Sequence, residues 1–275
     1  MTEKVRIGVA ALSWIVWSCL TCSTALVLTG CASNLSGANM NRDRVTESDE
    51  PDTRKRARLR LELAVAYFDK GQTTDALDHL KQSISADPTL FEAYNLRGLI
   101  YMRLNDVPLA EESFRRALTI NPKAATVQHN YGWLLCQQAR FAESTQLFNS
   151  ALANPAYGER AKTWMAQGLC QMKSGQTTDA ENSFLRSYEL DAGNPITAYN
   201  LSQLLYQRGE FVRAQFYVRR LNNSELANAE SLWLGIKVER RMENRDAMNQ
   251  LSGQLKKRYP QSRENLALER GAFNE

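Results

Sequence analysis

The fold turns on one stretch, residues 91–122, which reads FEAYNLRGLIYMRLNDVPLAEESFRRALTINP. It carries small residues at Gly98 and Ala110, an aromatic at Phe114, a further small residue at Ala117 and a closing Pro122. Moving outwards from it, the same order returns. Small residues recur at Ala64, Gly98, Gly132, Gly168, Ser202 and Gly235, in steps of 34, 34, 36, 34 and 33. A second small series, Ala76, Ala110, Ser144, Ala180, Ala214 and Ala247, repeats those steps. A third, four residues on, is Leu80, Phe114, Phe148, Phe184, Val218 and Leu251. Prolines punctuate the pattern at Pro88, Pro122, Pro155, Pro195 and Pro260. Three series in one register mark internal repeats, and a period in the thirties marks a solenoid.

This order is similar to that of the tetratricopeptide repeat (TPR), in which two antiparallel helices form each unit. The fold class implied is all-α: a TPR superhelix of about six helix-turn-helix repeats with a short C-terminal cap. The physics agrees. Small residues suit a close helix crossing, and the aromatic is expected to fill the gap towards the next repeat. Proline cannot continue a helix. Gly71, Gly175 and Gly209 fall at the inter-helix turn, where φ > 0 is often needed. The repeats are read as 57–90, 91–124, 125–160, 161–194, 195–227 and 228–261, with 262–275 as cap. Repeat four carries two extra residues near 157–160, and repeat five has Leu221 where Ala is usual. No single repeat can bury its apolar face, whereas stacked neighbours can, and the last needs a polar cap.

Before the repeats lies an address. Lys4 and Arg6 precede a mostly apolar run over 7–28, which ends in Leu28-Thr29-Gly30-Cys31. That tetrapeptide resembles the lipobox of bacterial lipoproteins, which makes 1–30 a signal peptide and Cys31 the acceptor of lipid. An uncleaved transmembrane anchor is the rival reading, since 22 residues can span a bilayer. A cleavage site belongs where this tetrapeptide sits, at the end of the apolar run. Cys19 and Cys22 fall inside the discarded segment, so their spacing implies no redox or zinc motif. Ala32 follows the cysteine, which by the sorting rule of that family implies the outer membrane. Residues 31–56 are polar and read as a flexible tether, too poor in apolar groups to bury a core.

Composition excludes several functions. The 275 residues carry 34 Lys+Arg against 30 Asp+Glu, a net charge of +4 that leaves no nucleic-acid footprint. Only His79 and His129 occur, without metal-ligand spacing around either. Lys173-Ser174-Gly175 lacks the preceding glycines of a phosphate loop. The sequence therefore reads as a non-enzyme with no cofactor, no metal and no small-molecule substrate.

Two features remain. Cys136 and Cys170 fall on the first helices of repeats three and four, which are neighbours in a TPR stack. In the oxidising compartment that the signal implies, a Cys136–Cys170 disulfide is expected. Two buried free cysteines are the alternative. The second feature is the concave face, lined by first-helix positions 2, 5, 9, 12 and 13. The register places Leu61, Val65, Phe68, Leu99, Met102, Trp133, Met165 and Leu169 there as a partner groove. Asn95, Arg103, His129, Cys136, Gln137, Met172, Tyr199 and Tyr206 join the same face. Exposed apolar patches mark partner sites, although neighbouring side chains can bury such residues.

The whole chain resembles the PilW/PilF family of type IV pilus biogenesis/stability lipoproteins, the pilotins of the pilus secretin. Asn130-Tyr131-Gly132-Trp133-Leu134-Leu135-Cys136 resembles that family's third repeat. Ser231-Leu232-Trp233-Leu234-Gly235 and Leu255-Lys256-Lys257-Arg258-Tyr259-Pro260 resemble its last. The resemblance implies an outer-membrane assembly factor, facing the periplasm, whose partner is the secretin subunit. Another periplasmic TPR lipoprotein, serving barrel assembly or peptidoglycan synthases, is the alternative.

Overall fold

The computed structural model describes residues 51–273. The stretch read as an export signal, Cys31 and the expected tether up to residue 50 lie outside the described residues. Those residues form thirteen α-helices and no strand: α1 (Asp52–Asp69), α2 (Thr73–Ala86), α3 (Phe91–Arg103), α4 (Val107–Ile120), α5 (Ala125–Gln137), α6 (Phe141–Leu152), α7 (Arg160–Lys173), α8 (Thr177–Leu190), α9 (Pro195–Gln207), α10 (Phe211–Asn222), α11 (Ala229–Arg241), α12 (Arg245–Arg258) and α13 (Arg263–Arg270). Six pairs, from α1/α2 to α11/α12, form the repeats, and α13 comes last as a single helix.

One boundary moves. Helix α1 starts at Asp52, inside the stretch read as tether. Pro51 supplies the entry, and α2 with the turn after it holds the helix in place. The Ser83 hydroxyl donates to the Ala57 carbonyl at 2.7 Å, and Arg54 lies 3.6 Å from the Asp87 carboxylate. Pro195 is also re-read. It opens α9, capped by Asn194, whose side chain accepts from the Thr197 amide at 3.0 Å.

The repeat signature becomes geometry at the crossing within each pair. A methyl group added at Gly98 would meet the Phe114 ring at 2.6 Å, and one at Gly168 the Phe184 ring at 2.7 Å. The aromatic therefore lies first on the glycine of its own repeat, a closer relation than the expected one to the next repeat. It reaches the neighbour as well, since Phe114 stacks on Tyr131 with centroids 5.9 Å apart. Serine is tolerated because a partner is in reach. Ser144 donates to the Gly132 carbonyl at 2.7 Å, and Ser202 to the Ala214 carbonyl at 2.9 Å. Each hydroxyl bonds the backbone it presses against, so burial leaves no orphan.

The inter-helix turns need a left-handed residue. Gly71, Gly175 and Gly209 have φ of 77°, 81° and 81° there, while Asn105, Ala139 and Glu243 take the same role at 57–59°. The core is serial. Apolar clusters bridge repeats one and two, two and three, three and four, and four to six, and a last one joins repeat six to α13.

The crossing distances rank substitutions. Gly98→Ala should destabilise by about 1–3 kcal/mol through overpacking against Phe114. Gly132→Ala, with Phe148 at 3.0 Å, should cost less, since alanine also favours the helix. Thermal unfolding of the two variants checks the order.

Candidate functional site

Which face is inner is decided by helix contacts. Successive first helices touch: α1 with α3, α3 with α5, α5 with α7, α7 with α9, and α9 with α11. No second helix makes a backbone contact with the next second helix. The stack therefore closes up along its first helices, which form the inner wall.

The predicted groove residues lie along this wall. Leu61 and Phe68 pack against the first cluster, Leu99 and Met102 against the second, Trp133 against the Cys136/Phe148 cluster, and Met165 and Leu169 against the next. All seven are half-buried, one side on the core and the other towards solvent. Val65 stands further out at 40% exposure. Tyr199 and Tyr206 continue the stripe into repeat five.

The wall is less uniformly apolar than expected. The Arg103 guanidinium covers the Phe68 ring at 3.6 Å, and its Nη1 donates to the Phe68 carbonyl at 2.6 Å. Two repeats further on, Lys173 donates to the Gln137 carbonyl at 3.3 Å. These cations complete carbonyls at first-helix C-termini, where positive charge is favoured. The register puts Arg103 on this face but not over the ring. Between the aromatic positions, Asn130 Nδ2 donates to Asn95 Oδ1 at 3.0 Å.

Two candidates for the face turn out to be internal. His129 is 5% exposed, between repeats three and four. Its Nδ1 lies 2.8 Å from the Thr163 hydroxyl, which is also 3.1 Å from the Tyr157 hydroxyl. Tyr157 comes from the two-residue insertion and is buried with Ala125 and Ala151, so the insertion fills the seam. Burial pushes the His129 pKa down to about 4, helped by the Lys162 charge against Glu159. Cys136 is likewise buried and faces Cys170, with Cα atoms 5.8 Å apart across α5 and α7. That separation lies within the range a disulfide spans. Among the described residues no group of three or more His, Cys, Asp or Glu side chains could hold a metal ion.

Sequence reasoning misses how the far end is covered. The cap reads as a polar cover, and α13 does carry charge. Yet the cap also brings Leu268 and Phe273 onto Leu232, Trp233 and Ile236 of α11. The signal for this is the apolar spacing in 266–273.

Comparison with known proteins places the chain. A tetratricopeptide repeat family model matches residues 61–125 and 95–159. The type IV pilus assembly protein PilF of Pseudomonas aeruginosa is 30% identical over 204 residues, covering 74% of this chain and 81% of that protein. A solved PilF structure from that organism superposes with a TM-score of 0.74 at 28% identity, covering 80% of this chain and all of the other. The crystal structure of PilW, described as a widely conserved type IV pilus biogenesis factor, gives 0.69 at 30% identity, covering 77% and 97%.

The buried histidine sets a pH dependence. In the unfolded chain His129 takes a proton near pH 6.5, and in the folded chain only near pH 4. Stability is therefore complete above pH 6.5 and falls as pH drops towards 4. The loss is about 3 kcal/mol at 1.36 kcal/mol for each pH unit of separation. Denaturant titrations at several pH values should show this slope in the native chain and a flatter one in His129→Gln.

Proposed function

The chain belongs to the PilF/PilW family of type IV pilus tetratricopeptide proteins, and from that premise we propose that it is the pilotin of the pilus secretin. In this reading Cys31 is lipidated, the outer membrane holds the protein, and the repeat stack faces the periplasm. The inner wall binds a secretin segment and promotes multimerisation of the ring. The observation that carries the reading is the half-buried apolar stripe from Leu61 to Leu169, continued by Tyr199 and Tyr206. Side chains in this state keep an apolar face open to a partner, and helix-in-groove docking uses that arrangement. A lipid anchor adds effective concentration without any new contact.

The Cys136–Cys170 disulfide belongs to the same proposal. The bridge would tie repeats three and four beside Trp133, which packs against the two cysteines and Phe148. With a sequence separation of 34 between the cysteines, it contributes about 3–4 kcal/mol by constraining the unfolded chain.

Two outcomes are expected. A Leu99→Lys, Leu169→Lys chain should keep its helical content and lose secretin multimers and surface pili, read by immunoblot and microscopy. Wild-type multimer levels in that strain, or in a deletion, would reject the pilotin reading. The exported protein should show no free thiol at Cys136 or Cys170 by alkylation and mass spectrometry. The Cys136→Ser, Cys170→Ser chain should then lose about 3 kcal/mol in denaturant unfolding.

A further inference from the structure

At its carboxyl end the inner wall is already occupied. Gly271 ends α13 in the left-handed conformation, φ 67°, and the chain turns back towards α11. The Phe273 ring stacks on Trp233 with centroids 5.2 Å apart, and the Arg240 guanidinium sits 3.9 Å over it. Trp233 is left only 7% exposed. Its ring is the next aromatic surface along the wall after Tyr206, for Lys237 Nζ stands 5.7 Å from both ring centres.

Clefts open on the two sides of this stack. One of about 600 Å³ is lined by Trp233, Arg263, Glu264, Leu266, Arg270 and Ala272. The other, about 290 Å³, is lined by Tyr206, Lys237, Arg240, Arg241, Glu243 and Phe273. Ala272 borders the first and Phe273 the second, so this short tail stands between them. The clefts together carry five cationic side chains against two carboxylates. Such a site fits an aromatic ring presented on an acidic segment, since cations favour both a ring face and a carboxylate. The chain's own tail has that chemistry: Phe273 is followed in sequence by Asn274 and Glu275.

We infer that residues 271–273 are an intramolecular plug, seated in a site that takes an aromatic residue on an acidic segment of a partner protein. The plug and the partner compete for Trp233 and Arg240. A tethered competitor acts at about millimolar effective concentration, so it lowers the apparent affinity by the fraction of time the site is closed. This rests on the reading of the inner wall as a docking face, although the two can fail separately.

The test uses the full chain and a chain ending at Gly271, which retains α13 and its cap. The probe is an acetylated peptide of residues 271–275, with fluorescence anisotropy as the measure. The truncated chain should bind it at least about tenfold more tightly than the full chain. Binding should weaken with salt and vanish when the peptide carries Phe273→Ala or the protein Trp233→Ala. A full chain with Phe273→Ala should gain binding as the truncation does, which covers a loss of α13 in the shortened protein. Equal affinity in all three chains, or none in any, overturns the plug and leaves the pilotin reading standing. Tighter peptide binding by the truncated chain, together with wild-type secretin multimers in a deletion strain, would sink the pilotin reading alone.

Discussion

Everything in this molecule depends on how closely two helices can cross. A glycine or serine at the crossing lets a side chain from the partner helix lie on bare backbone, as Phe114 does on Gly98 and Phe184 on Gly168. Each ring is completely buried, although a pair of helices of twelve to fourteen residues has too little surface to bury much else. The crossing sets the angle within a repeat. That angle decides which side chains are left to meet the next repeat. Phe114 shows both roles at once, covering Gly98 and stacking on Tyr131. Closeness within the pair and adhesion between pairs thus come from the same ring.

Adhesion between repeats has a second, polar component. Glu111 of α4 accepts from Tyr131 at 2.7 Å and Arg140 at 2.9 Å, both in repeat three. Glu181 of α8 accepts from Arg213 at 2.7 Å and pairs with Arg208, both in repeat five. Glu239 of α11 pairs with Arg219 of α10 at 2.6 Å. Burial pushes the Glu111 carboxyl up, and the bonds from Tyr131 and Arg140 outweigh it and hold the group below its ordinary range. Such pairs add less stability than their short distances suggest, since desolvation offsets much of the attraction. Removing the arginine partner of Glu239 would still cost on the order of 3 kcal/mol, because the buried charge would lose its cation and keep the Gln215 amide at 2.9 Å as a neutral donor.

The sequence made the repeats legible because their pattern is periodic, and periodicity survives without coordinates. Small residues, rings and turn glycines could be counted, and the inner-wall positions came from the count. What could not be counted was contact between unrelated positions. Arg103 over Phe68, Thr163 on His129, and Phe273 on Trp233 are each pairs whose members belong to different repeats or to none. His129 holds a groove position by register and is internal because Tyr157, from an insertion, fills the seam beside it. Helix α1 begins earlier than its composition suggests because Ser83 and Asp87, far along the chain, hold its first turns. Local composition is read from the string of letters, and these partners are not local.

The two ends of the stack solve the same problem differently. A terminal repeat has a face that no neighbour covers. At the amino end α1 leaves Leu59 and Leu63 exposed, at 59% and 44%, and surrounds them with Arg56 and Arg60. Arginine stems lie well over apolar surface while their heads stay in water, so these side chains suit an apolar surface set among charge. At the carboxyl end α13 and Phe273 cover the corresponding surface with protein. Among the described residues, the inner wall is covered by the chain itself in repeat six, at Trp233. On the proposed docking, a segment along it would meet Val65 exposed and Phe68 under the Arg103 guanidinium, and at Trp233 it would displace part of the chain itself. On that proposal, affinity built from repeats one to five would be separable from the cost of opening the last, which is the condition for a graded rather than all-or-none grip.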